Sequence, residues 1–388
     1  MMWHKKLLAL TLIGFSIAII PISCSLSPSP EPEIRIGLIA PLTGEFADFL
    51  GKVTMESAQL AVKEVNDAGG IQVAGGKRKV VLLIEDDRDT PDDAVEAARK
   101  LIYQENVVAL TGLPLSRIAI PVAKIAENSR IPTISSWSSN PETTAGKKYV
   151  FRVPYTDDVA GKVIAKVARE ELGYERAAVL YDIASQYNRD LAQFFKGEFE
   201  KIGGKIVAFE SYTTDEKDLT TQLKNIQNSS AEVLFLPNYS QEISNQVQQI
   251  NNLGLNINFL GSETWSTLEK SDRLKLEGSF FTEIWSPSLD NAKTQAFVAT
   301  YRQVYNQIPT TVAALSYDAM GLLFTAIERE GKADPESIRN GLANIGYYEG
   351  VGGKMSYQNG GDPMRNILIL QLKDGEAVVY KKLNLLGE

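Results

Sequence analysis

Five polar residues or segments follow stretches of the sequence that have the apolar character and length of β-strands. They are Ser116, Ser135–Ser139, Tyr187, Tyr239 and Glu263. In open α/β sheets, ligands bind in the loops at the carboxyl ends of the strands, so we expect these residues to surround one binding site. A serine hydroxyl at a helix N-terminus favours an anion such as a carboxylate, and a buried glutamate requires a positively charged partner such as an ammonium group.

Each of these residues also has an ordinary structural explanation. Ser116 could simply cap the helix that begins there, and the serine-rich segment Ser135–Ser139 could be only a turn. A tyrosine or a glutamate in a loop is more often packed or solvated than functional. The residue types and spacing alone leave these alternatives open.

Several kinds of chemistry are disfavoured by what the chain lacks. Its only histidine is His4 and its only cysteine is Cys24, so the rest of the chain has neither the commonest general base nor a thiol nucleophile. The segment nearest to a phosphate-binding loop is Gly70–Lys77, but its spacing fails the motif, and Arg78 stands where serine or threonine is required. An enzyme is therefore the least favoured class of protein.

The acidic residues do not predict a metal site. Asp86, Asp87 and Asp89 lie close together but lack the glycine and the distal glutamate of a Ca²⁺-binding loop, so we expect a solvated loop, no metal and no cofactor. The chain has 48 acidic and 40 basic residues, a net charge of −8, which argues against a nucleic-acid partner.

The segments that must position the polar residues alternate between strand and helix. Ile34–Ala40 and Val107–Leu110 are among the predicted strands, and a helix is predicted to begin at Ser116. Such alternation predicts an α/β fold in which helices flank mostly parallel sheets. The pattern restarts near Arg152–Pro154, and elements after Phe280 are left over. The sequence therefore predicts two α/β units, with a chain that crosses back between them.

The N-terminus has the pattern of a secretory signal, with Lys5 and Lys6 before the apolar run Leu7–Ile22. Cys24, placed directly after a small residue, resembles the lipobox cysteine of bacterial lipoproteins, although Pro21 stands where leucine is usual. The resemblance implies cleavage before Cys24 and lipidation of that residue. The alternative is an uncleaved membrane anchor, but Leu7–Ile22 has 16 residues, fewer than the ~20 that a spanning helix needs.

Three motifs taken in order resemble a known family. Ile36–Gly44, Ala68–Ile71 and Glu85–Pro91 are similar to the opening of the leucine/isoleucine/valine-binding proteins, the periplasmic receptors of branched-chain amino-acid ABC transporters. The resemblance covers essentially the whole mature chain and implies a two-lobed type I periplasmic-binding fold, with three hinge crossovers and a ligand cleft. The implied domains are a signal peptide (1–23), a tether (24–33), a first lobe (34–152 and 286–352) and a second lobe (153–285 and 353–388).

The resemblance also implies roles for residues of the first lobe. Ser116 and Ser139 match the positions that bind a ligand carboxylate through their hydroxyls. A carbonyl near Trp137 and Ser138 would accept a hydrogen bond from a ligand ammonium. Trp137 replaces a smaller residue that is common in the family, so its ring is expected to narrow or wall the pocket.

In the second lobe, the resemblance implies that Tyr187, Tyr239 and Glu263 close over the ligand. Glu263 would pair with the ligand ammonium, which would supply the partner that a buried carboxylate requires. The residues implied for an apolar wall are Phe49 or Leu50 and Trp265.

The predicted function is that of a monomeric, extracytoplasmic, lipid-anchored receptor. It would capture an L-amino acid, favoured as aliphatic, by hinge closure and deliver it to the membrane subunits of an ABC permease. The first alternative is a receptor for an amide, urea or another small polar solute. A sensing receptor rather than a transport receptor is the second.

Overall fold

The computed structural model describes residues 33–358 and 360–386, and Glu33–Glu388 forms one compact unit. The predicted signal peptide, Cys24 and nearly all of the tether lie outside the described residues. Among the residues that are described, no helix is both long enough and apolar enough to cross a membrane.

The first part of the chain builds a five-stranded parallel sheet and its helices. The strand order is β4-β1-β5-β6-β7, and β2 and β3 form a separate hairpin. The strands are β1 (Ile34–Ala40), β2 (Ile71–Val73), β3 (Gly76–Arg78), β4 (Val80–Asp86), β5 (Ala109–Gly112), β6 (Thr133–Ser135) and β7 (Val150–Arg152). The helices are α1 (Lys52–Asp67), α2 (Pro91–Tyr103) and α3 (Ser116–Ser129).

The chain then builds a seven-stranded sheet in the order β17-β16-β12-β11-β10-β8-β9, in which β16 and β17 are antiparallel to their neighbours. The strands up to the next crossing are β8 (Arg176–Asp182), β9 (Lys205–Tyr212), β10 (Val233–Phe235), β11 (Asn258–Gly261) and β12 (Phe280–Glu283). The helices are α4 (Asp157–Lys166), α5 (Gln186–Lys201), α6 (Thr220–Asn228), α7 (Ser240–Asn252) and α8 (Lys270–Lys275).

After β12 the chain returns to the first sheet before it finishes in the second. The long helix α10 packs against α1 and against β5 of the first sheet. The returning elements are α9 (Ala292–Tyr305), α10 (Thr311–Glu330), α11 (Pro335–Ala343), β13 (Tyr347–Gly350), β14 (Gly353–Ser356) and β15 (Met364–Arg365). The final strands, β16 (Ile367–Lys373) and β17 (Glu376–Leu383), then join the second sheet.

We use "first lobe" and "second lobe" for the units built on the five-stranded and seven-stranded sheets. The chain passes between the two sheets after Arg152, after Glu283 and before Ile367. The α/β fold class predicted from the sequence is therefore found in the structure. The lobe boundaries proposed at 152/153, 285/286 and 352/353 stay predictions.

The turn that leads from β5 towards the site depends on a glycine. Gly112 has a φ of +88°, and a Cβ atom added there would lie 2.2 Å from the carbonyl oxygen of Ile39 on the neighbouring strand. A side chain is therefore excluded both by the backbone conformation and by the close approach of β1.

Replacing Gly112 with alanine should destabilise the fold more than the same change at Gly146. Both glycines have positive φ, but nothing lies within 4 Å of a Cβ built on Gly146 (φ +71°). Both variants should share a backbone strain of about 1–3 kcal/mol, and Gly112→Ala should lose about 1–3 kcal/mol more through overpacking. Chemical unfolding measures the difference, and equal losses would contradict this account of the turn.

Candidate functional site

Ser116 is the first residue of α3 and follows β5 after the turn that begins at Gly112. Its side chain is buried, and its Oγ accepts hydrogen bonds from the hydroxyl of Ser138 (3.0 Å) and the backbone N–H of Asn140 (3.4 Å). The N-cap position belongs to Leu115, and no side chain caps α3. The alternative in which Ser116 caps the helix is therefore wrong, because Ser116 is the first helical residue.

Hydrogen bonds within the serine-rich segment Ser135–Ser139 and to neighbouring segments fix the shape of the loop at the end of β6. Ser135 donates its hydroxyl to the carbonyl of Leu113 (2.8 Å) and accepts from the N–H of Ser138 (3.1 Å). The Ser138 carbonyl in turn accepts from a guanidinium N–H of Arg152 (3.1 Å). Ser138 is thus used largely to shape the loop, which leaves its neighbours Trp137 and Ser139 facing the cleft.

Three elements of the second lobe supply the opposite wall. Tyr187 lies in the first turn of α5, Tyr239 immediately precedes α7, and Glu263 follows β11 in a short 3₁₀ helix. The rings of Tyr187 and Tyr239 stack with their centroids 5.1 Å apart. The hydroxyl of Tyr187 lies 3.0 Å from Oε1 of Glu263, to which it can donate a hydrogen bond. The stacked rings and this hydrogen bond hold the three side chains as one surface.

These residues line a small pocket between the strand ends of the two lobes, with about 190 Å³ of space not filled by protein atoms, part of which is open to solvent. Six of the ten ligand-binding residues predicted from the sequence line it, and Ser138 lies directly behind the wall. Pro114 and Thr264 also line the cavity but were not predicted. The lining residues are Pro114, Ser116, Trp137, Ser139, Tyr187, Tyr239, Glu263 and Thr264.

The residues predicted to form an apolar wall do not line this cavity. Leu50 and Trp265 are fully buried in hydrophobic cores, and the Trp265 indole donates to the carbonyl of Leu236 (3.3 Å). Phe49 packs on Phe46, with ring centroids 5.5 Å apart. The chain forms one π-helical turn over Ala47–Gly51 before α1. Periodicity of the sequence gave no indication of this irregular turn.

Phe46 is the aromatic residue that reaches across the cleft. Its ring meets Tyr239 edge to face, with centroids 5.4 Å apart. The guanidinium of Arg117 lies 5.0 Å from the centre of the same ring and is paired with Asp89. Phe46 is therefore an apolar contact between the lobes that was not predicted from the sequence.

The site contains two buried carboxyl groups that lack sufficient hydrogen-bond donors. The Oε2 atom of Glu263 and both carboxylate oxygens of Asp157 have no hydrogen bond of good geometry among the described residues, and the nearby hydroxyl of Ser139 is the group that favours their ionised forms. Burial raises the pKa of Glu263. Burial, followed by the negative charge of Glu263, raises the pKa of Asp157 well above its usual range. An added cation would relieve both penalties.

Asp157 was not predicted as a site residue. It begins α4 just after the first crossing between the lobes, and its backbone N–H donates to the carbonyl of Ser139 (3.0 Å). In sequence, Asp157 and Asp158 are indistinguishable, because acidic residues are common in the first turn of any helix. Only the fold shows that Asp157 is fully buried, whereas Asp158 pairs with Lys162.

The acidic cluster after β4 differs in part from its predicted solvated form. Asp86 is partly exposed and accepts hydrogen bonds from the backbone of Leu42 (2.8 Å) and Arg88 (2.8 Å). Asp87 is fully buried, and burial raises its pKa to about 7. No group of acidic, histidine or cysteine residues in the described chain is arranged to hold a metal ion. The cluster therefore organises the loop.

Comparison with known proteins identifies the class. The periplasmic binding protein model matches residues 33–377, so the chain belongs to the periplasmic binding protein family. That family consists of solute-binding proteins, which confirms the prediction of a binding protein rather than an enzyme. The predicted fold class is confirmed as well.

Individual relatives give a more specific comparison than the family model does. A Leu/Ile/Val-binding protein homolog of Brucella melitensis is 28% identical over 335 residues, which cover 85% of this chain and 88% of the relative. The crystal structure of a leucine-binding protein from Thermotoga maritima is 28% identical, with a TM-score of 0.83 and coverage of 90% of this chain and 99% of that one. A branched-chain amino acid transporter substrate-binding protein of Streptococcus pneumoniae, solved with isoleucine, is 25% identical, with a TM-score of 0.81 and the same coverage. The predicted resemblance is confirmed.

Replacing Asp157 with asparagine should stabilise the ligand-free protein at alkaline pH. A carboxyl whose folded pKa exceeds its unfolded pKa costs no stability below the unfolded pKa, and stability is lost as the pH rises towards the folded pKa. Asp157→Asn removes this loss, which we expect to be about 1–3 kcal/mol at pH 8. Thermal unfolding at pH 5 and pH 8 measures it.

The adjacent Asp158 provides the matched control. Partial burial opposes ionisation of Asp158, but hydrogen bonds from Lys162 and Thr156 outweigh it and lower the pKa. Asp158→Asn should therefore destabilise the protein slightly above its pKa, by up to about 1 kcal/mol. If Asp157→Asn left the pH dependence of stability unchanged, the account of a penalised buried carboxyl would be wrong.

Proposed function

We propose that this protein is the extracytoplasmic receptor of an ABC transporter that captures an L-amino acid with an aliphatic side chain. The observation that carries the proposal is the pocket between the lobes, which has the hydroxyls of Ser116 and Ser139 on one wall and the buried carboxyl of Glu263 on the other. The relatives named for binding leucine, isoleucine and valine support the same ligand class.

The first lobe would bind the carboxylate of the ligand. Ser116 lies at the N-terminus of α3, where no side chain occupies the free N–H groups. Such an end attracts an anion through its dipole and its unpaired donors. Ser139 adds a second hydroxyl at the cavity wall. The described lining contains no lysine or arginine, so hydroxyls and the helix end would neutralise the carboxylate.

The second lobe would bind the ammonium group. Its N–H donors would pair with Glu263, which lines the pocket and whose Oε2 lacks a hydrogen bond of good geometry, while the negative charge of Asp157 behind it would add to the attraction. Tyr187 keeps Glu263 oriented through the other carboxylate oxygen. An ammonium at this point would form charge-assisted hydrogen bonds, which are about twice as strong as neutral ones.

Binding would close the hinge. A ligand whose carboxylate is held by Ser116 and whose ammonium is held by Glu263 makes all its contacts only when the lobes are together. It therefore shifts the population to the closed form. The closed form is what the permease would recognise. A micromolar dissociation constant corresponds to about −8.2 kcal/mol, a magnitude that these charge-assisted contacts can reach.

A small neutral solute is the second candidate, and Trp137 is the observation that favours it. The indole N–H of Trp137 is buried and has no partner among the described residues. It could donate to the oxygen of an amide or of urea. Such a ligand would leave the two carboxyls without a cation, so the amino acid accounts for more of the cavity.

We further propose that Cys24 is lipidated and tethers the receptor outside the membrane. The apolar run, the small residue before Cys24 and the Ser/Pro-rich tether support this. Transport rather than sensing, and a monomeric receptor, remain parts of the proposal.

Glu263→Gln should weaken binding of L-leucine about 10- to 150-fold, the equivalent of about 1.5–3 kcal/mol for a hydrogen bond to a charged group. Calorimetric titration measures the affinity. 4-Methylpentanoate, which lacks the ammonium group, should bind weakly and about equally to both proteins, because it has no cation for Glu263 to pair with.

Glu269→Gln is the control, because Glu269 is exposed and lies six residues further along the chain. Unchanged leucine affinity in Glu263→Gln would remove the assigned role of Glu263. If urea or acetamide raised the thermal stability and no amino acid did, the neutral-solute alternative would replace the amino-acid receptor. A ligand at 100 times its dissociation constant stabilises by about 2.7 kcal/mol.

Cys24→Ser should move the protein from the membrane fraction to the soluble fraction of the cells that produce it. Without the thiol, no lipid can be attached, while the binding domain is unaffected. Fractionation followed by intact-mass measurement checks this outcome. A wild-type mass without a lipid, or a membrane-bound Cys24→Ser protein, would contradict the anchor.

A further inference from the structure

A fully buried arginine, Arg152, lies behind the serine-rich loop of the ligand pocket without lining the pocket itself. It is the last residue of β7, at the first crossing between the lobes. Its Nε atom lies 2.6 Å from Oδ1 of Asp362, as an ion pair rather than a hydrogen bond of good geometry. Asp362 belongs to the loop between β14 and β15. A buried cation needs such a counter-charge, so this distant loop accounts for the burial of Arg152.

The guanidinium of Arg152 holds the segment 138–144 at three points. One terminal nitrogen donates to the carbonyl of Ser138 (3.1 Å). The other donates to the hydroxyl of Thr144 (2.6 Å) and, at a longer distance, to the carbonyl of Pro141 (3.4 Å). An arginine presents its N–H groups in a rigid, planar fork. The acceptors in the loop are therefore held in one fixed arrangement.

The loop that carries Asp362 is itself held against β7. The backbone N–H of Arg152 donates to the carbonyl of Gly361 (2.9 Å), and the hydroxyl of Tyr357 donates to the carbonyl of Arg152 (2.7 Å). A Cβ atom added at Gly361 would lie 2.0 Å from the carbonyl oxygen of Val150. This close backbone contact places Asp362 beside the guanidinium.

The contacts of Arg152 continue to the wall of the pocket through the first lobe. The hydroxyl of Ser138 donates to Oγ of Ser116 (3.0 Å), which also accepts the backbone N–H of Asn140 (3.4 Å). Ser116 and Ser139 line the pocket, whereas Arg152 is not among the lining residues. Arg152 is therefore connected to both pocket hydroxyls through the backbone and side chain of the loop that it holds.

We propose that Arg152, in its pair with Asp362, is a positioning residue that keeps Ser116 and Ser139 where a ligand carboxylate binds. This inference rests on the proposed function, because the position of the two hydroxyls matters through the carboxylate that they would bind. It follows that the loop between β14 and β15, which contributes no residue to the pocket lining, contributes to affinity.

Arg152→Met removes the hydrogen-bonding fork and largely preserves the volume of the side chain. Replacing a buried ion by an apolar residue of similar size is often neutral for stability. The carboxylate left behind can be hydrated, because the Asp362 side chain is 45% exposed. We expect Arg152→Met to bind L-leucine at least about tenfold more weakly in calorimetric titration, because the Ser138 carbonyl loses a charged donor.

Glu198→Gln is the control for the loss of an ion pair outside the site. Glu198 is nearly buried on α5, pairs with Lys201 and Lys166, and does not line the pocket. This variant should bind L-leucine within about twofold of wild type. A loss of affinity in Glu198→Gln as large as that in Arg152→Met would mean that any lost ion pair weakens binding, and it would overturn the assignment.

Arg152→Lys separates position from charge. Lysine keeps the positive charge, which also acts on the nearby Asp157, but its single ammonium group lacks the planar fork. We expect Arg152→Lys to remain at least about fivefold weaker than wild type for L-leucine. If lysine restored wild-type affinity, the charge alone would account for the effect, and the positioning role would be wrong.

A spectroscopic signature of the loop gives a readout that a general loss of stability would not move. The described chain has three tryptophans, Trp137, Trp265 and Trp285, and only Trp137 lies in the serine-rich loop. In protein labelled with 5-fluorotryptophan, Arg152→Met should shift the fluorine resonance of Trp137, assigned with Trp137→Phe, and leave that of Trp265 in place. An unchanged Trp137 resonance in the folded variant would overturn the proposal.

Asp362→Asn keeps the proposal testable if Arg152→Met does not fold, as circular dichroism would show. Its position is partly exposed, and it removes the counter-charge while preserving shape. It should shift the same Trp137 resonance and weaken L-leucine binding. An Asp362→Asn protein with a wild-type spectrum and wild-type affinity would contradict the role of the pair.

Failure of the proposed function would be recognised separately. If the wild type binds no leucine or other amino acid, the amino-acid receptor is contradicted. The fluorine spectra are recorded without ligand, so they still decide whether Arg152 and Asp362 fix the loop. Identical spectra of wild type and both variants would then overturn the positioning role by themselves.

Discussion

Carboxyl groups buried between two lobes without enough donors are the constraint on which the site depends. Glu263 and Asp157 come from different segments of the second lobe, and three of their four oxygens have no hydrogen bond of good geometry in the described chain, although the Ser139 hydroxyl lies near both groups. Burying a carboxylate costs free energy unless it is paired or protonated. In the proposed function, the ammonium group of the ligand relieves this cost when it enters the cleft.

Hydrogen bonds tie together the three connections between the sheets. Arg365 bonds to carbonyls of the first and third connections between the sheets, and the Trp285 indole donates to the carbonyl of Val351 (3.0 Å), which links the second connection to the third. The carboxylate of Asp318 accepts the N–H groups of Val351 and Gly352 (both 2.7 Å). The three connections therefore form one hydrogen-bonded unit, and a hinge of this kind moves through a few backbone dihedral angles.

Much of the fold could be predicted because strand and helix periods are local properties. The strand Ile34–Ala40 was predicted with the bounds that the structure gives. Nearly every one of its residues is buried, and a fully buried strand is a continuous apolar run that can be recognised in the sequence. The strand predicted over Val107–Leu110 lies two residues later in the structure, over Ala109–Gly112. Glycine is typical of turns, so the strand was predicted to end before Gly112. The π-helical turn Ala47–Gly51 was not predicted, and the same irregularity explains why Phe46, rather than Phe49, reaches Tyr239.

The sequence alone was sufficient to predict the fold class, the family resemblance and most of the polar residues at the strand ends. Those residues could be expected to lie together because parallel strands bring their carboxyl ends to one edge of the sheet. The sequence could not separate Asp157 from Asp158. It also could not place Trp265 in a core rather than a pocket wall. Those distinctions depend on which side chains become buried when distant segments pack together. Burial and unpaired hydrogen-bonding groups are properties of the tertiary structure, so only the structure distinguishes these carboxyls from the solvated ones.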